Sequence, residues 1–216
     1  MVRFDTVLFD LDGTLTDPSL GITNSIMHAL AKRGITVAER SSLYKFIGPP
    51  LLDSFQKYCG FSEDESKAAV ADYREYFSTR GLFENSLLDG CEETLQTLKD
   101  AGCRLVLCTS KPEPYALRIL EHFGLLRFFC SVWGATMDGR LSRKDEIMAE
   151  ALKDLPAGCT PVMVGDRHHD IDGACANGIP SIGVLCGFGS EKELRDSGAS
   201  FVVRSLRDIL PVVIEN

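Results

Sequence analysis

From residue 90 to its end, the chain alternates short apolar runs with stretches of helical periodicity, a rhythm that few architectures accommodate. Helices are predicted at 90–101, 115–122, 144–154, 170–177 and 190–197, with a last turn at 206–210. Strands fall between them at 104–108, 129–133, 161–164, 180–185 and 201–203. Alternation at this spacing implies a parallel sheet with helices on both faces, an α/β fold of three layers. A further strand is expected at 4–9, where the residues are apolar without alternation, as in a strand covered on both sides.

One long segment breaks the rhythm. Residues 19–33 read as a helix, with Ser19 as its N-cap, Ile22, Ile26 and Leu30 at four-residue spacing, and Gly34 at its end. Residues 40–80 continue helically, interrupted at Gly48-Pro49-Pro50 and at Gly60, and contain no strand-like apolar run. The expected division is an α/β unit of residues 1–16 and 84–216 around an inserted helical unit of residues 17–83, with hinges at 15–18 and 83–88. The 216 residues, 44% of them apolar, suffice for one sizeable core and a small accessory unit.

Charge and composition narrow the function classes. Lys and Arg number 23 against 31 Asp and Glu, a formal charge of -8, which gives no support to nucleic-acid or anionic-membrane binding through a broad basic face. The sequence has no apolar run near 18 residues and does not open on a basic-then-apolar leader, so a cytoplasmic protein is expected. Eight cysteines are scattered without a CxxC pair and predict reduced, mostly structural thiols. Cys108, in an apolar run, reads as a small core residue, and Phe128, Phe129 and Trp133 as packing around a short strand.

The chemistry concentrates at predicted strand ends. Asp10 and Asp12 stand two residues apart after the first strand and run into Gly13 and Thr14. Carboxylates within about 5 Å repel, and one takes up a proton unless a cation relieves them. Thr109-Ser110-Lys111 ends the second strand, Lys144 lies beyond the third, and Gly165-Asp166 ends the fourth with Asp170 close behind. In an open parallel sheet these ends line one crevice, where ligands bind. Carboxylates, a hydroxyl and an ammonium gathered there suit phosphoryl transfer, which is chiefly positioning and neutralisation of oxygens.

These residues resemble the motifs of haloacid-dehalogenase superfamily phosphatases that carry a helical cap inserted after the first strand. Phe9-Asp10-Leu11-Asp12-Gly13-Thr14 resembles the first motif, Leu105-Val106-Leu107-Cys108-Thr109-Ser110-Lys111 the second, Lys144 the third, and Val164-Gly165-Asp166-Arg167-His168-His169-Asp170 the fourth. The likeness spans nearly the whole chain and implies a Rossmann-like core with an all-helical cap. Phe46-Ile47-Gly48-Pro49-Pro50-Leu51 resembles the cap of phosphoglycolate phosphatase-like and bacterial 5'-nucleotidase-like members.

The resemblance implies roles residue by residue. Asp10 is the expected nucleophile, forming an aspartyl phosphate, and Asp12 the acid and then the base. Mg²⁺ is expected on Asp10, the Asp12 backbone carbonyl and Asp166, because the donors are all oxygen and no His/Cys cluster competes. Thr109, the Ser110 N–H at a helix start, and Lys144 would hold the phosphoryl group. Gly13 would let the backbone approach phosphate, with Thr14 bonding across the turn. Asp170 would orient Lys144 or a metal-bound water, and Arg167 would pair with Asp170 or face phosphate. His168 and His169 read as exposed bystanders in a polar loop.

The expected substrate is a small phosphorylated metabolite, met by a monomer or homodimer. Lys45, Gly48 and Pro49 in the cap suit the carboxylate of phosphoglycolate or a second phosphate. A nucleoside 5'-monophosphate wants an aromatic face, for which Tyr44, Phe46, Phe55, Tyr73, Tyr76 and Phe77 compete with the cap's own core. The rival enzyme is a sugar-phosphate mutase of the β-phosphoglucomutase type, which returns the phosphoryl group to a sugar. A receiver-like phosphorylation module is the non-enzyme rival, but its aspartate follows the third strand and it has no inserted cap.

Overall fold

The computed structural model describes residues 2–214. It separates into two compact units, one comprising residues up to Thr16 with those from Leu87 onward, the other Asp17–Ser86. The chain enters the first unit as β1 (Thr6–Phe9), buried at every position, and leaves it through the two-residue β2 (Thr16–Asp17).

The second unit is helical. It contains α1 (Ser19–Ala31), a 3-10 helix over Arg40–Phe46, α2 (Leu51–Cys59) and α3 (Glu63–Tyr76), which runs into a π-helical turn at Phe77–Gly81. Ser19 is not the cap of α1. The Asp17 carboxylate accepts from the Ser19 N–H at 2.9 Å, so the acid two residues earlier satisfies the helix start. Ser62 and Glu65 form a reciprocal capping box at the start of α3. Ile22, Ile26, Ala29 and Leu30 of α1 are buried, as are Ala69 and Tyr73 of α3, which packs on it. At the rim of that contact Arg33 reaches Asp72 at 2.7 Å. Phe46, Phe55, Tyr73 and Phe77 are all buried in this unit, whereas Tyr44 is 39% exposed.

After β3 (Ser86–Leu87) the predicted alternation follows: α4 (Cys91–Asp100), β4 (Arg104–Pro112), α5 (Glu113–His122), β5 (Ser131–Ala135) and α6 (Lys144–Lys153). Then come β6 (Pro161–Gly165), α7 (His168–Ala176), β7 (Ser181–Val184), α8 (Glu191–Asp196), β8 (Phe201–Val203) and, past a 3-10 turn, α9 (Leu210–Val213). Six strands form one parallel sheet in the order β5-β4-β1-β6-β7-β8. β4 runs longer than predicted, because Pro112 still pairs with Ala135 across an irregular register after Cys108. β5 starts two residues late, and Phe129 instead sets its ring edge-on to Phe9 with centroids 6.4 Å apart.

Leu8, Val106, Cys108 and Met163 of the sheet pack against Ile147, Met148 and Ala151 of α6 and Ala174 of α7. Each large side chain so buried contributes about 1.5–3 kcal/mol. This slab fixes the start of α6, and with it Lys144, at the carboxyl edge of the sheet. All eight cysteines are free. Among the described residues no helix is long and apolar enough to cross a membrane.

Candidate active site

Asp10 follows β1 directly. Its N–H donates to the Val164 carbonyl at 2.9 Å, which prolongs the parallel pairing by one residue and fixes the carboxylate at the sheet edge. The turn that follows is shaped by Asp166, fully buried after β6. Gly13 adopts φ +86°, and a Cβ there would lie 2.3 Å from Asp166 Oδ2. The Thr14 hydroxyl donates to Asp166 Oδ1 at 3.4 Å, and the Phe188 N–H donates to Oδ2 at 2.7 Å. Gly13 and Thr14 therefore stand against Asp166, a neighbour that the sequence had not paired with them.

Lys144, the first residue of α6, is buried and lies against three oxygens. Its Nζ lies 2.7 Å from Asp10 Oδ1, 2.8 Å from Asp170 Oδ1 and 2.9 Å from the Cys108 carbonyl. A second ammonium, Lys111 on β4, pairs with Asp12 Oδ2. The other oxygen, Asp12 Oδ1, is buried and has no hydrogen-bond partner among the described residues. Thr109 is buried beside them, and its hydroxyl oxygen accepts from the Lys111 N–H at 3.2 Å. Asp10, Asp166 and Asp170 each offer an oxygen within 4.8 Å of the others, a group able to hold a metal ion.

The electrostatics follow from crowding carboxylates out of water. Burial pushes the Asp12 carboxyl up, against the opposing pull of Lys111. Asp166 is raised well above the ordinary carboxylate value by burial first, then by Asp170 and Asp10. Asp170 is pushed up to about 6, again by burial, with Lys144 opposing. Burial works against the Lys144 ammonium, but Asp10 and Asp170 outweigh it and hold its pKa above the usual lysine value.

Several expected contacts differ. Ser110 lies inside β4, three residues before α5 begins, so its N–H is not at a helix start. The Arg167 guanidinium pairs with Glu193, at 2.9 Å, and its backbone N–H donates to Asp170, at 3.1 Å. His168 and His169 open α7 rather than a loop and are half-buried, with ring centroids 3.7 Å apart. His168 Nδ1 also meets Glu193, at 2.9 Å, and burial holds His169 down to about 4. Lys45, Gly48 and Pro49 belong to the second unit, where the Lys45 ammonium sits 4.7 Å from the Tyr58 ring centroid. Lys111 was not singled out as a site residue, although its place before Pro112 favours extended backbone and was a usable signal.

Removing one partner of a buried ion pair leaves an uncompensated charge, which costs about 3–5 kcal/mol. Lys144→Met strips Asp10 and Asp170 of their shared cation and is expected to lower metal-free stability by an amount in that range. Urea unfolding in EDTA measures it, and an unchanged midpoint would refute the expectation.

Three comparisons place this geometry among known proteins. The model of the haloacid dehalogenase-like hydrolase family matches residues 7–184. A 5'-nucleotidase of Pseudomonas aeruginosa is 45% identical over 195 residues, covering 90% of this chain and 88% of that protein. The tyrosine-protein kinase PtkA of Mycobacterium tuberculosis is 45% identical over 184 residues, covering 85% of this chain but only 62% of that protein. Among solved structures, that of a predicted phosphatase from Clostridium acetobutylicum superposes with a TM-score of 0.94 at 44% identity, covering 99% of both chains.

Proposed function

From the premise that this chain belongs to the haloacid dehalogenase-like hydrolase family and is a phosphohydrolase working through an aspartate nucleophile, we propose that it cleaves nucleoside 5'-monophosphates. The observation that carries the catalytic part is a charge imbalance. Four carboxylates, those of Asp10, Asp12, Asp166 and Asp170, surround two ammoniums, those of Lys111 and Lys144. One divalent cation cancels the excess of two negative charges, and an all-oxygen donor set favours Mg²⁺. Asp10, Asp166 and the Asp12 carbonyl would hold it, with the Asp170 carboxylate, an oxygen of which lies within 4.8 Å of those of Asp10 and Asp166, beside them. When bound, the ion supplies positive charge to the phosphoryl oxygens.

The protein's own groups carry the remaining steps. An Asp10 oxygen attacks phosphorus, and the bond from phosphorus to the ester oxygen breaks as Asp12 gives that oxygen a proton. Water then attacks phosphorus and yields a proton to Asp12, and the bond to Asp10 breaks to release inorganic phosphate. Lys144 would hold Asp10 and the phosphoryl group in register, and the Thr109 hydroxyl, whose oxygen accepts from the Lys111 N–H, would give its proton to a phosphate oxygen.

The nucleotide preference is supported by the 45% identity to the 5'-nucleotidase. Free thiols at all eight cysteines support a cytoplasmic setting. The test is phosphate release from nucleoside 5'-monophosphates, phosphoglycolate, sugar phosphates and pyrophosphate, ranked by kcat/KM. Nucleoside monophosphates are expected to lead. A lead for phosphoglycolate would replace the substrate, and sugar isomerisation without free phosphate would replace hydrolysis by mutase chemistry.

A further inference from the structure

We propose that Lys111 is the positioning residue of the proton-transfer step, gripping Asp12 by Oδ2 so that the unpartnered Oδ1 exchanges the proton with the ester oxygen. The inference rests on the hydrolase reading above and deepens it. A lysine buried to 8% exposure at the end of a strand is costly unless a partner meets it, and Asp12 Oδ2 does so. The same carboxylate leaves Oδ1 buried and without a hydrogen-bond partner among the described residues. An orphaned acceptor of that kind carries a desolvation cost, which a protein retains where a ligand completes the bond.

The second ammonium is not interchangeable with the first. Lys144 Nζ is committed to Asp10 and Asp170, at 2.7 and 2.8 Å, so it steadies the attacking carboxylate. Lys111 steadies the proton carrier instead. Thr109 and Lys111 lie two apart on β4, both buried, and the Lys111 N–H donates to the Thr109 hydroxyl at 3.2 Å. Lys111 thus links the Thr109 hydroxyl, through its N–H, to the Asp12 carboxylate, through its ammonium. β4 carries Lys111 into the site because it continues, with its register irregularity, past Cys108 to Pro112.

Proton donation matters most when the departing oxygen is strongly basic. An alkyl phosphate, such as a nucleoside 5'-monophosphate, needs the acid; 4-nitrophenyl phosphate, whose phenolate leaves unaided, needs it far less. Lys111→Met is therefore expected to lower single-turnover cleavage of the alkyl ester by roughly 10²-fold, the low end for a displaced acid–base group, and cleavage of the aryl ester by under about tenfold. Adding the substitution to Asp12→Asn should change the alkyl rate little further, since both act on one group. Lys111→Arg, which keeps the charge, should give an intermediate alkyl-to-aryl ratio and supplies the comparison if the Met variant does not fold. Equal losses on the two esters would instead make Lys111 a phosphate or scaffold contact and overturn the proposal. A wild-type protein that cleaves neither ester would overturn the hydrolase reading itself, a distinguishable failure.

Discussion

Asp10→Asn is expected to reduce phosphomonoester turnover by about 10⁵-fold or more, the scale on which loss of a nucleophile acts in other covalent enzymes, while the fold stays intact. The amide is close in shape to the carboxylate but is a poor nucleophile toward phosphorus, so no aspartyl phosphate forms. Structure is spared for a specific reason. Lys144 keeps Asp170 at 2.8 Å and the Cys108 carbonyl at 2.9 Å, so the ammonium is not orphaned. The substitution also lowers the negative excess of the cluster from two charges to one. In EDTA the variant should therefore melt no earlier than wild type, in contrast to Lys144→Met, which removes the cation that the cluster shares. Rapid-quench turnover beside a circular-dichroism melt checks both halves. Residual activity within a hundredfold of wild type would move the nucleophile elsewhere.

The two substitutions act on one ion pair yet have opposite expected signs for stability, and that asymmetry explains which parts of the site were legible in the sequence. Asp10, Asp12 and Asp166 announced themselves because a carboxylate at the end of an apolar run is conspicuous. The sheet and the helical insertion were legible for the same reason, since run length and spacing follow directly from burial. Partnerships were harder. Thr14 meets Asp166 across 152 residues and Arg167 meets Glu193 across 26, so no local pattern names either pair. Ser19 looked like a cap because its residue type fits, but it is the first residue of α1, and Asp17 accepts from its N–H two residues upstream. Ser110 looked like a helix start, whereas the strand continues through it to Pro112, which pairs with Ala135. Long-range contact decided the Thr14, Arg167 and Ser110 cases, and a competing local acceptor decided that of Ser19.

Metal removal should abolish activity, and Mg²⁺ should restore it; the stability change that accompanies this has a sign fixed by the same four carboxylates. Without a cation, burial raises the Asp170 carboxyl to about 6 and Asp166 well above its ordinary value. An aspartate titrates near 3.9 in an unfolded chain. The folded state therefore binds more protons between these values. This contribution is fully present below about pH 4 and is lost as pH rises through about 6. The melting temperature in EDTA should fall between about pH 5 and pH 7.5. Mg²⁺ competes with protons for the same oxygens, so its stabilisation should be larger at the higher pH, where the carboxylates are bare. At a hundredfold excess over Kd it amounts to about 2.7 kcal/mol. Asp166→Asn, which neutralises a fully buried carboxylate, should flatten the pH dependence in EDTA and shrink the Mg²⁺ response together. Robust hydrolysis in EDTA, or a Mg²⁺ shift that shrinks as pH rises, would separate the acidic cluster from metal binding and leave its negative excess to be balanced by protons alone.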